Sequence, residues 1–354
     1  MRSTRSLAAA HRWIVLALVA GAACAKSEKQ AGDTTKASPT AGASAAGGKT
    51  FTVAMIGKSS TNPVFLSGRT GAEAAAAELT KNTGVTVKID WLTPPTEDGT
   101  VQAQRISQAV NAGDNAVLLS SSDAGKVVGA IDDAVSRGVP VMTFDSDVPN
   151  SKRFSFYGGD DALIGRETMD ELATQMHGQG HVAILAGNQN APNLQKRVEG
   201  AKEAAKKYPG IKIVNTFYHP ETPQDAAAEV IRVQNAYPEI NGWAMIGGWP
   251  LFTKSLLTDL DPKRVKIVAV DALPDELAYV EAGLAPVLIA QQPYLWGYVS
   301  VKTIFDHVYL KKDVPDRIDM PLIRVSKDNL GTWARQLQAW GFTGIDPKYL
   351  AMAK

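Results

Sequence analysis

Short apolar runs that alternate with amphipathic stretches constrain the fold of this chain more than any other feature. Ten runs are rich in β-branched and apolar side chains, and each ends close to a helix-like pattern. The runs are FTVAMIG, VTVKIDWL, NAVLLS, VPVMTFDSD, FSFYGG, HVAILAG, IKIVNTFY, GWAMIGG, VKIVAVDA and PVLIAQQ. Strands that are apolar on both faces are typical of parallel sheets covered by helices. The pattern therefore predicts an α/β fold, and two sheets in two lobes fit so many strands better than one sheet.

The first 23 residues have the pattern of a secretory signal peptide. Three arginines precede the apolar run WIVLALVAGAA at residues 13–23, which is shorter than a membrane-spanning helix and ends in small residues. Cys24 follows and is the only cysteine of the sequence, so no internal disulfide forms. The segment VAGAAC resembles the lipobox of bacterial lipoproteins and predicts a lipid anchor on Cys24. The alternative is ordinary cleavage at Ala22 or after Ala25.

Residues 24–49 predict a flexible tether. Beyond Cys24 they are rich in Ala, Gly, Ser, Thr and Lys and contain no large apolar side chain. A segment of this composition cannot bury enough apolar surface to offset the entropy of ordering it. With the anchor, it predicts a periplasmic or cell-envelope protein that touches the membrane only through its lipid.

Charge and motifs argue against several classes of function. Without the three arginines of the signal, the net charge falls from +1 to −2, which leaves no basic surplus for nucleic acid. His177, His181, His219 and His307 lack metal-ligand spacing, and we expect them at surface or helix-cap positions. The sequence has no G-x-S-x-G elbow and no cysteine nucleophile in its folded part. We therefore predict no enzyme activity, no cofactor and no metal.

The segment GKSS after the first apolar run raises the question of a phosphate site. A phosphate loop has the pattern G-x-x-x-x-G-K-[ST], and its first glycine position is occupied here by Thr52, inside the predicted strand. The helix pattern also begins several residues too late for such a loop. We therefore reject nucleotide binding and expect Lys58 to face the site at the strand ends.

Polar residues follow the predicted strands in both halves, where parallel α/β sheets bind ligands. Asn, Asp, Arg and Gln pair with hydroxyl groups, and aromatic rings cover the C–H faces of a sugar, so the set suits a neutral polyol. Each residue also has a structural alternative. Asp145 and Asp271 would cap helices, Asn62 would be a turn residue before Pro63, and Trp296 would be a core residue. Taken together, they predict a binding cleft between two lobes.

Six segments have the order and spacing of a known family's motifs: NPVF, GVPVMTFDSD, YGGDDALIGRE, NLQKRVEGAKEAAKKYPGIKIV, IVAVDA and LIAQQPYLWGY. The chain resembles the type I periplasmic binding proteins, in the ribose-binding-protein-like group that serves sugar ABC transporters. The resemblance extends from Thr50 to about Trp340. It implies an α/β fold of two similar doubly wound parallel-sheet lobes joined by a three-strand hinge.

The resemblance also implies the ligand-binding residues. The family's contact positions fall on Asn62, Phe65, Asp145, Asp161, Arg197, Trp249, Asp271 and Gln291. Three positions depart from the ribose pattern, since Val64 replaces a stacking phenylalanine and Asp161 and Trp249 each replace an asparagine. The tryptophan favours a larger or more apolar ligand, whereas Lys58 and Arg197 favour an acidic or phosphorylated sugar. The sequence therefore does not name the sugar.

The family's architecture predicts the lobe boundaries and the function. We expect three crossovers between the lobes, near residues 156–159, 290–293 and 322–325. The N-terminal lobe would consist of residues 50–157 and 291–322. The C-terminal lobe would consist of residues 158–290 and 323–354. The predicted function is a monomeric extracytoplasmic binding protein that closes on a sugar or related polyol and delivers it to the permease of an ABC importer.

Three alternatives remain at the level of sequence. A sensor component would deliver a sugar-like ligand to a membrane receptor instead, and gene neighbourhood would separate the two roles. A regulator of the lac repressor class would need an N-terminal DNA-binding helix pair, where this sequence has a signal and a tether. An enzyme of flavodoxin-like architecture would turn over its bound ligand.

Overall fold

The computed structural model of the protein describes residues 49–353. The predicted signal peptide, the lipid anchor at Cys24 and the tether up to residue 48 lie outside the described residues. None of the helices between residues 49 and 353 has the length and apolar character needed to cross a membrane.

The first sheet has six strands, which are β1 (Thr50–Ile56), β2 (Thr86–Trp91), β3 (Ala116–Leu119), β4 (Val141–Phe144), β5 (Ser155–Gly158) and β11 (Arg317–Asp319). They are all parallel and lie in the order β11–β5–β4–β3–β1–β2. One face packs against α1 (Pro63–Thr83) and α8 (Pro293–Ile304), and the other against α2 (Gly99–Ala112) and α3 (Ala124–Ser136). Alternate residues of β1 point to opposite faces, so Val53 and Met55 pack with α1 while Ala54 and Ile56 pack with α2.

The second sheet also has six strands, which are β6 (Gln179–Ala186), β7 (Gly210–Tyr218), β8 (Ile240–Met245), β9 (Lys266–Val270), β10 (Val287–Ala290) and β12 (Ile323–Ser326). Their order is β12–β10–β9–β8–β6–β7, and only β12 runs antiparallel to its neighbour. Helices cover both faces, with α4 (Asp161–Gln175) and α5 (Pro192–Ala205) on one face and α6 (Pro223–Ala236), α7 (Leu277–Ala282) and α9 (Leu330–Ala339) on the other. The short helix α10 (Pro347–Leu350) packs beside α9.

The chain passes between the two sheets three times, after β5, after β10 and between β11 and β12. The predicted fold class, two doubly wound α/β lobes on a three-strand connection, is confirmed. All ten predicted strands form, because each run is apolar enough to be covered by helices. Strand β12 is not among the ten runs but lies at the predicted crossover near 322–325. Strand β11 was not predicted, since its three residues RID are polar at both ends and stay exposed or half-buried.

Glycines let two pairs of helices pack with their backbones in contact. A methyl group at Gly71 of α1 would lie 1.9 Å from the carbonyl oxygen of Tyr294 on α8. A methyl group at Gly165 of α4 would lie 1.9 Å from the carbonyl oxygen of Arg197 on α5. The second contact sets Arg197 beside the first turn of α4, where Asp161 lies.

Candidate functional site

Side chains that follow the carboxyl ends of strands in both sheets meet around one small void, which we call the central void. Its volume is about 30 Å³, close to the share of one water molecule in the liquid. Eight of the nine predicted binding residues line it, namely Lys58, Asn62, Phe65, Asp145, Arg197, Trp249, Asp271 and Gln291. The ninth, Asp161, lies behind Arg197 and accepts a hydrogen bond from it. The role of these residues in ligand binding stays a prediction.

Asp145 and Asp271 occupy corresponding places in the two sheets. Asp145 follows β4 with φ of 55°, and Asp271 follows β9 with φ of 79°. Left-handed backbone is uncommon for residues other than glycine, although aspartate tolerates it. In both cases the backbone N–H donates to a carbonyl of the neighbouring strand, at Tyr157 and Ile289 respectively. Each carboxylate therefore stands at the end of a strand and lines the central void.

Each of these two carboxylates accepts two hydrogen bonds. Asp145 accepts from the hydroxyl of Ser120 at 2.7 Å and from the amide of Asn193 at 3.2 Å. Asp271 accepts from the amide of Gln291 at 3.0 Å and from a backbone N–H just after β8 at 3.3 Å. Neither carboxylate caps a helix that follows it, so that alternative is wrong for both.

Arg197 is the centre of a buried ionic network and is only 2% exposed. Its Nε donates to Asp161 at 2.9 Å, and its Nη2 donates to Gln291 at 3.0 Å and lies 3.8 Å from Asp145. Burial alone would lower the pKa of Arg197, but the carboxylates of Asp161, Asp145 and Asp271 raise it. Burial also raises the pKa of Asp161 and of Asp271, and Arg197 opposes that effect. The guanidinium therefore stays charged and fixes the carboxylates around it.

Asn193 bridges the two halves of the site and was not singled out from the sequence. It lies in the first turn of α5, in the second lobe, and its Oδ1 accepts from Nζ of Lys58 at 3.0 Å. Its amide also donates to Asp145, so it contacts two residues of the first lobe. Lys58 is 2% exposed. Burial would lower the pKa of Lys58, but the carboxylates of Glu221, Asp145 and Glu97 raise it above its usual value.

Two predicted contact residues of the first lobe have structural partners. The side chain of Asn62 caps α1 by accepting from the N–H of Val64 at 3.1 Å. Phe65 packs against Trp296 with 5.9 Å between ring centroids, and both rings border the central void. The expectation that Trp296 is a core residue is confirmed, because it is buried against Phe65 and Phe144.

Trp249 begins a short 3₁₀ turn after β8 and is buried. Its ring meets the imidazole of His219 edge to face, with 5.0 Å between centroids. His219 is only 6% exposed, so the expectation of a surface or cap position is wrong for this histidine. The segment HPETP around His219 has the composition of an exposed loop. Trp249, which covers His219, is distant in sequence, so the local pattern does not predict the burial of this histidine.

Glu97 and Glu221 also escaped the sequence reasoning. They lie on the loops that follow β2 and β7, one in each lobe. Both carboxyl oxygens of Glu97 are buried and have no hydrogen-bond partner among the described residues. Burial, and next the charge of Glu221, raise the pKa of Glu97 well above its usual range, although Lys58 and the side chain of Asn188 oppose them. No composition signal separates such loop glutamates from solvent-exposed ones.

Metal binding finds no support in residues 49–353, where no group of three or more His, Cys, Asp or Glu side chains is placed to hold an ion. The chemistry of the site is hydrogen bonding by amides, carboxylates, one ammonium and one guanidinium.

The profile of the periplasmic binding protein domain family matches residues 53–312, and the chain belongs to this family. The family consists of sugar-binding transport proteins and not of enzymes. Among its relatives, a xylose/arabinose-binding protein, XylF of Sulfolobus acidocaldarius, is 24% identical over 75% of this chain and 67% of that protein. The predicted resemblance is thereby confirmed.

Solved structures agree with this assignment. A solute-binding protein of an ABC transporter from Burkholderia graminis, in complex with D-arabinose, has a TM-score of 0.74 and 27% identity, over 79% of this chain and 96% of that chain. A XylFII protein in a XylFII–LytSN complex has a TM-score of 0.71 and 27% identity, over 79% of this chain and 98% of that chain.

Proposed function

We propose that this protein is the extracytoplasmic substrate-binding protein of an ABC importer, which captures a sugar or related polyol between two lobes and delivers it to the permease. The observation that carries the proposal is the convergence of hydrogen-bonding side chains from both sheets on one void. The pentoses named for two of its relatives support a ligand of that class.

Binding requires the lobes to move. The central void of about 30 Å³ is far smaller than a monosaccharide, so a sugar enters only when the two sheets separate. Asn193 donates to Asp145 and accepts from Lys58, and these are bonds that ligand hydroxyls can replace. The three chain connections between the sheets would serve as the hinge, and a ligand that contacts both lobes favours the closed form. We propose lobe boundaries within these connections, at the positions predicted from the sequence.

The charges around the central void favour a neutral ligand over the acidic or phosphorylated sugar that the sequence left open. Lys58 and Arg197 are the cations of the site, and both already face carboxylates. Asp145, Asp161 and Asp271 outnumber them before any ligand binds. An anionic ligand would therefore add to an excess of negative charge in a buried site, which is costly.

A thermal-shift screen of the purified protein tests the proposal. The panel contains pentoses, hexoses, polyols, sugar acids and sugar phosphates, and each hit is measured by calorimetry. A ligand that binds only the native state raises the melting temperature. We expect shifts with neutral sugars or polyols and none with acids or phosphates. No shift with any sugar would contradict the proposed ligand class, and shifts with anionic sugars alone would contradict the charge argument.

Delivery to a permease is a separate part of the proposal, and one alternative role is considered beside it. The similarity to a XylFII protein solved in complex with LytSN favours a second candidate, in which the closed form is recognised by another protein and serves as a sensor component. Uptake of the radiolabelled ligand by cells that lack the gene separates the two. Loss of uptake supports the importer, whereas normal uptake with a lost transcriptional response to the ligand supports the sensor.

A further inference from the structure

A second, larger cavity adjoins the central void, and we call it the outer cavity. Its volume is about 510 Å³. Loops of both lobes line it, at Ser59, Thr61, residues 95–97, residues 187–190 and residues 218–222. Glu221 lines both the outer cavity and the central void, so the two spaces share a wall. Glu221 is therefore the side chain that a ligand of the central site would have to pass to reach the outer cavity.

The buried polar groups of the outer cavity belong to Glu97 and His219. Both oxygens of Glu97 are buried and make no hydrogen bond of normal geometry among the described residues, although the side chains of Asn188 and Glu221 are close enough to act on its pKa. Nδ1 of His219 lies 2.7 Å from the carbonyl oxygen of Pro220, so this nitrogen carries the hydrogen. Burial lowers the pKa of His219, which keeps the ring neutral and leaves Nε2 as an acceptor. Nε2 is itself buried and unpartnered within the described part of the chain.

Charge in the outer cavity is unbalanced. Glu97 comes from the first lobe and Glu221 from the second, and no lysine or arginine is among the described residues that line the cavity. Lys58 is the cation whose charge acts on both glutamates, and its ammonium donates to Asn193 on the side of the central void. Lys58 alone does not offset the burial of Glu97 beside Glu221, so this cavity is suited to a group that brings further positive charge and hydrogen-bond donors.

We propose that the outer cavity is a second subsite, which binds a positively charged amino group carried by the sugar-like ligand of the central site. This inference rests on the proposed function. An ammonium has three donors and no acceptor, and once Glu97 is ionised the cavity lining offers three acceptor groups, on Glu97, Glu221 and His219. A hydroxyl has one donor, and its lone pairs would face the carboxylates. The ligand class is therefore an amino sugar, an amino polyol or an aminoalkyl glycoside.

Calorimetry with matched ligand pairs at pH 7 tests the subsite. The pairs are amino sugars with their neutral parents, amino-deoxy polyols with the parent polyols, and aminoethyl glycosides with hydroxyethyl glycosides. We expect at least one amine to bind ten-fold or more tightly than its neutral parent. Glu97→Gln should reduce this ratio to below three-fold. Glu199→Gln, an exposed change of the same charge on α5, is the matched control and should keep the ratio.

A second measurement uses the unmodified protein and does not depend on how the variant folds. Binding of the amine should release protons, because the ammonium favours the ionised form of Glu97, whereas the neutral parent should release fewer. Calorimetry in buffers of different ionisation enthalpy counts these protons.

The outcomes separate the two proposals. Neutral sugars that bind at least as well as their amines, or a preference for the amine that survives Glu97→Gln, would overturn the subsite and leave the proposed function standing. If neither neutral nor amino ligands bind, the proposed function fails, and the subsite fails with it.

Discussion

Replacing Arg197 with methionine should cost the protein about 3–5 kcal/mol of its free energy of unfolding at pH 7. Breaking a buried ion pair from one side has this magnitude because the remaining charge stays buried without compensation. Here the variant loses the bond from Nε to Asp161 at 2.9 Å and the bond to Gln291 at 3.0 Å. Methionine fills part of the volume, so the loss reflects charge more than packing.

The same reasoning fixes the pH dependence of the loss. Arg197 opposes the effect of burial on Asp161 and Asp271, whose pKa values burial raises. Without the guanidinium these pKa values rise further, so the ionised carboxylates destabilise the folded state above the new pKa values. This penalty is greatest above the new pKa values and shrinks as pH falls from them toward the pKa values of the unfolded chain. We therefore expect the loss caused by Arg197→Met to be smaller at pH 5 than at pH 7.

Urea unfolding followed by circular dichroism measures these differences. Lys202→Met is the matched control, since it removes one charge from the exposed side of the same helix and should change stability by no more than about 0.5 kcal/mol. Adding Asp161→Asn to Arg197→Met should restore at least about 1 kcal/mol, because the unpaired carboxylate is gone. A loss below about 1 kcal/mol for Arg197→Met, equal at both pH values, would refute the ionic network as a source of stability.

Three further predictions concern single positions. Asp145→Ala should weaken sugar binding by about 2–4 kcal/mol, because it leaves a buried hydroxyl of the ligand unpaired. Once the variant is shown to fold, calorimetry measures its affinity, and an unchanged affinity would contradict the prediction. Burial and then the nearby Asp90 raise the pKa of Asp114 to about 6. Ionised Asp114 therefore destabilises the folded state above that pH, so Asp114→Asn should stabilise the protein at pH 8 but not at pH 4. We expect a gain of about 1 kcal/mol in the free energy of unfolding, because solvent screening reduces the value that the pKa shift alone would give. Gly200→Ala would place a methyl 2.1 Å from a carbonyl oxygen of α4 and should lower the melting temperature through a loss of about 2–3 kcal/mol, whereas Gly129→Ala, with open space around it, should not.

The sequence predicts the strands well because the two sheets are covered on both faces. Within the run NAVLLS, the strand residues AVLL of β3 include no polar side chain, and β3 is buried at every residue. The edge strand β7 is half-exposed, yet its run IKIVNTFY keeps enough β-branched residues to be recognised. Strand β11 has only three residues and no buried position, so its pairing with β5 depends on tertiary structure alone.

The residues of the site also differ in whether the sequence could predict them. Asp145 and Asp271 could be predicted because a parallel sheet places whatever ends its strands at one edge. Asn193, Glu97 and Glu221 could not, because their roles depend on how close the two lobes stand. Asn193 contacts Lys58 across 135 residues of sequence. Within its own helix it is only a polar residue after a proline, so local pattern gives it no distinct signal.

The bonds that join the lobes also set what a ligand must supply. In the closed arrangement Asn193 accepts from Lys58 and donates to Asp145, so a sugar that separates them must satisfy three buried groups at once. A hydroxyl that does so gains little net energy over the bonds it replaces, but a missing hydroxyl leaves a buried group unpaired at about 1–3 kcal/mol. The difference in binding free energy between a sugar and its deoxy analogue should therefore exceed the net contribution of any one hydrogen bond. Calorimetry measures the difference in affinity between a bound sugar and each of its deoxy analogues. Asn193→Ala removes one of the groups that the sugar must satisfy, so it should reduce this difference for the hydroxyl nearest Asn193. Equal losses at every deoxy position, unchanged in Asn193→Ala, would show that closure does not depend on this bridge.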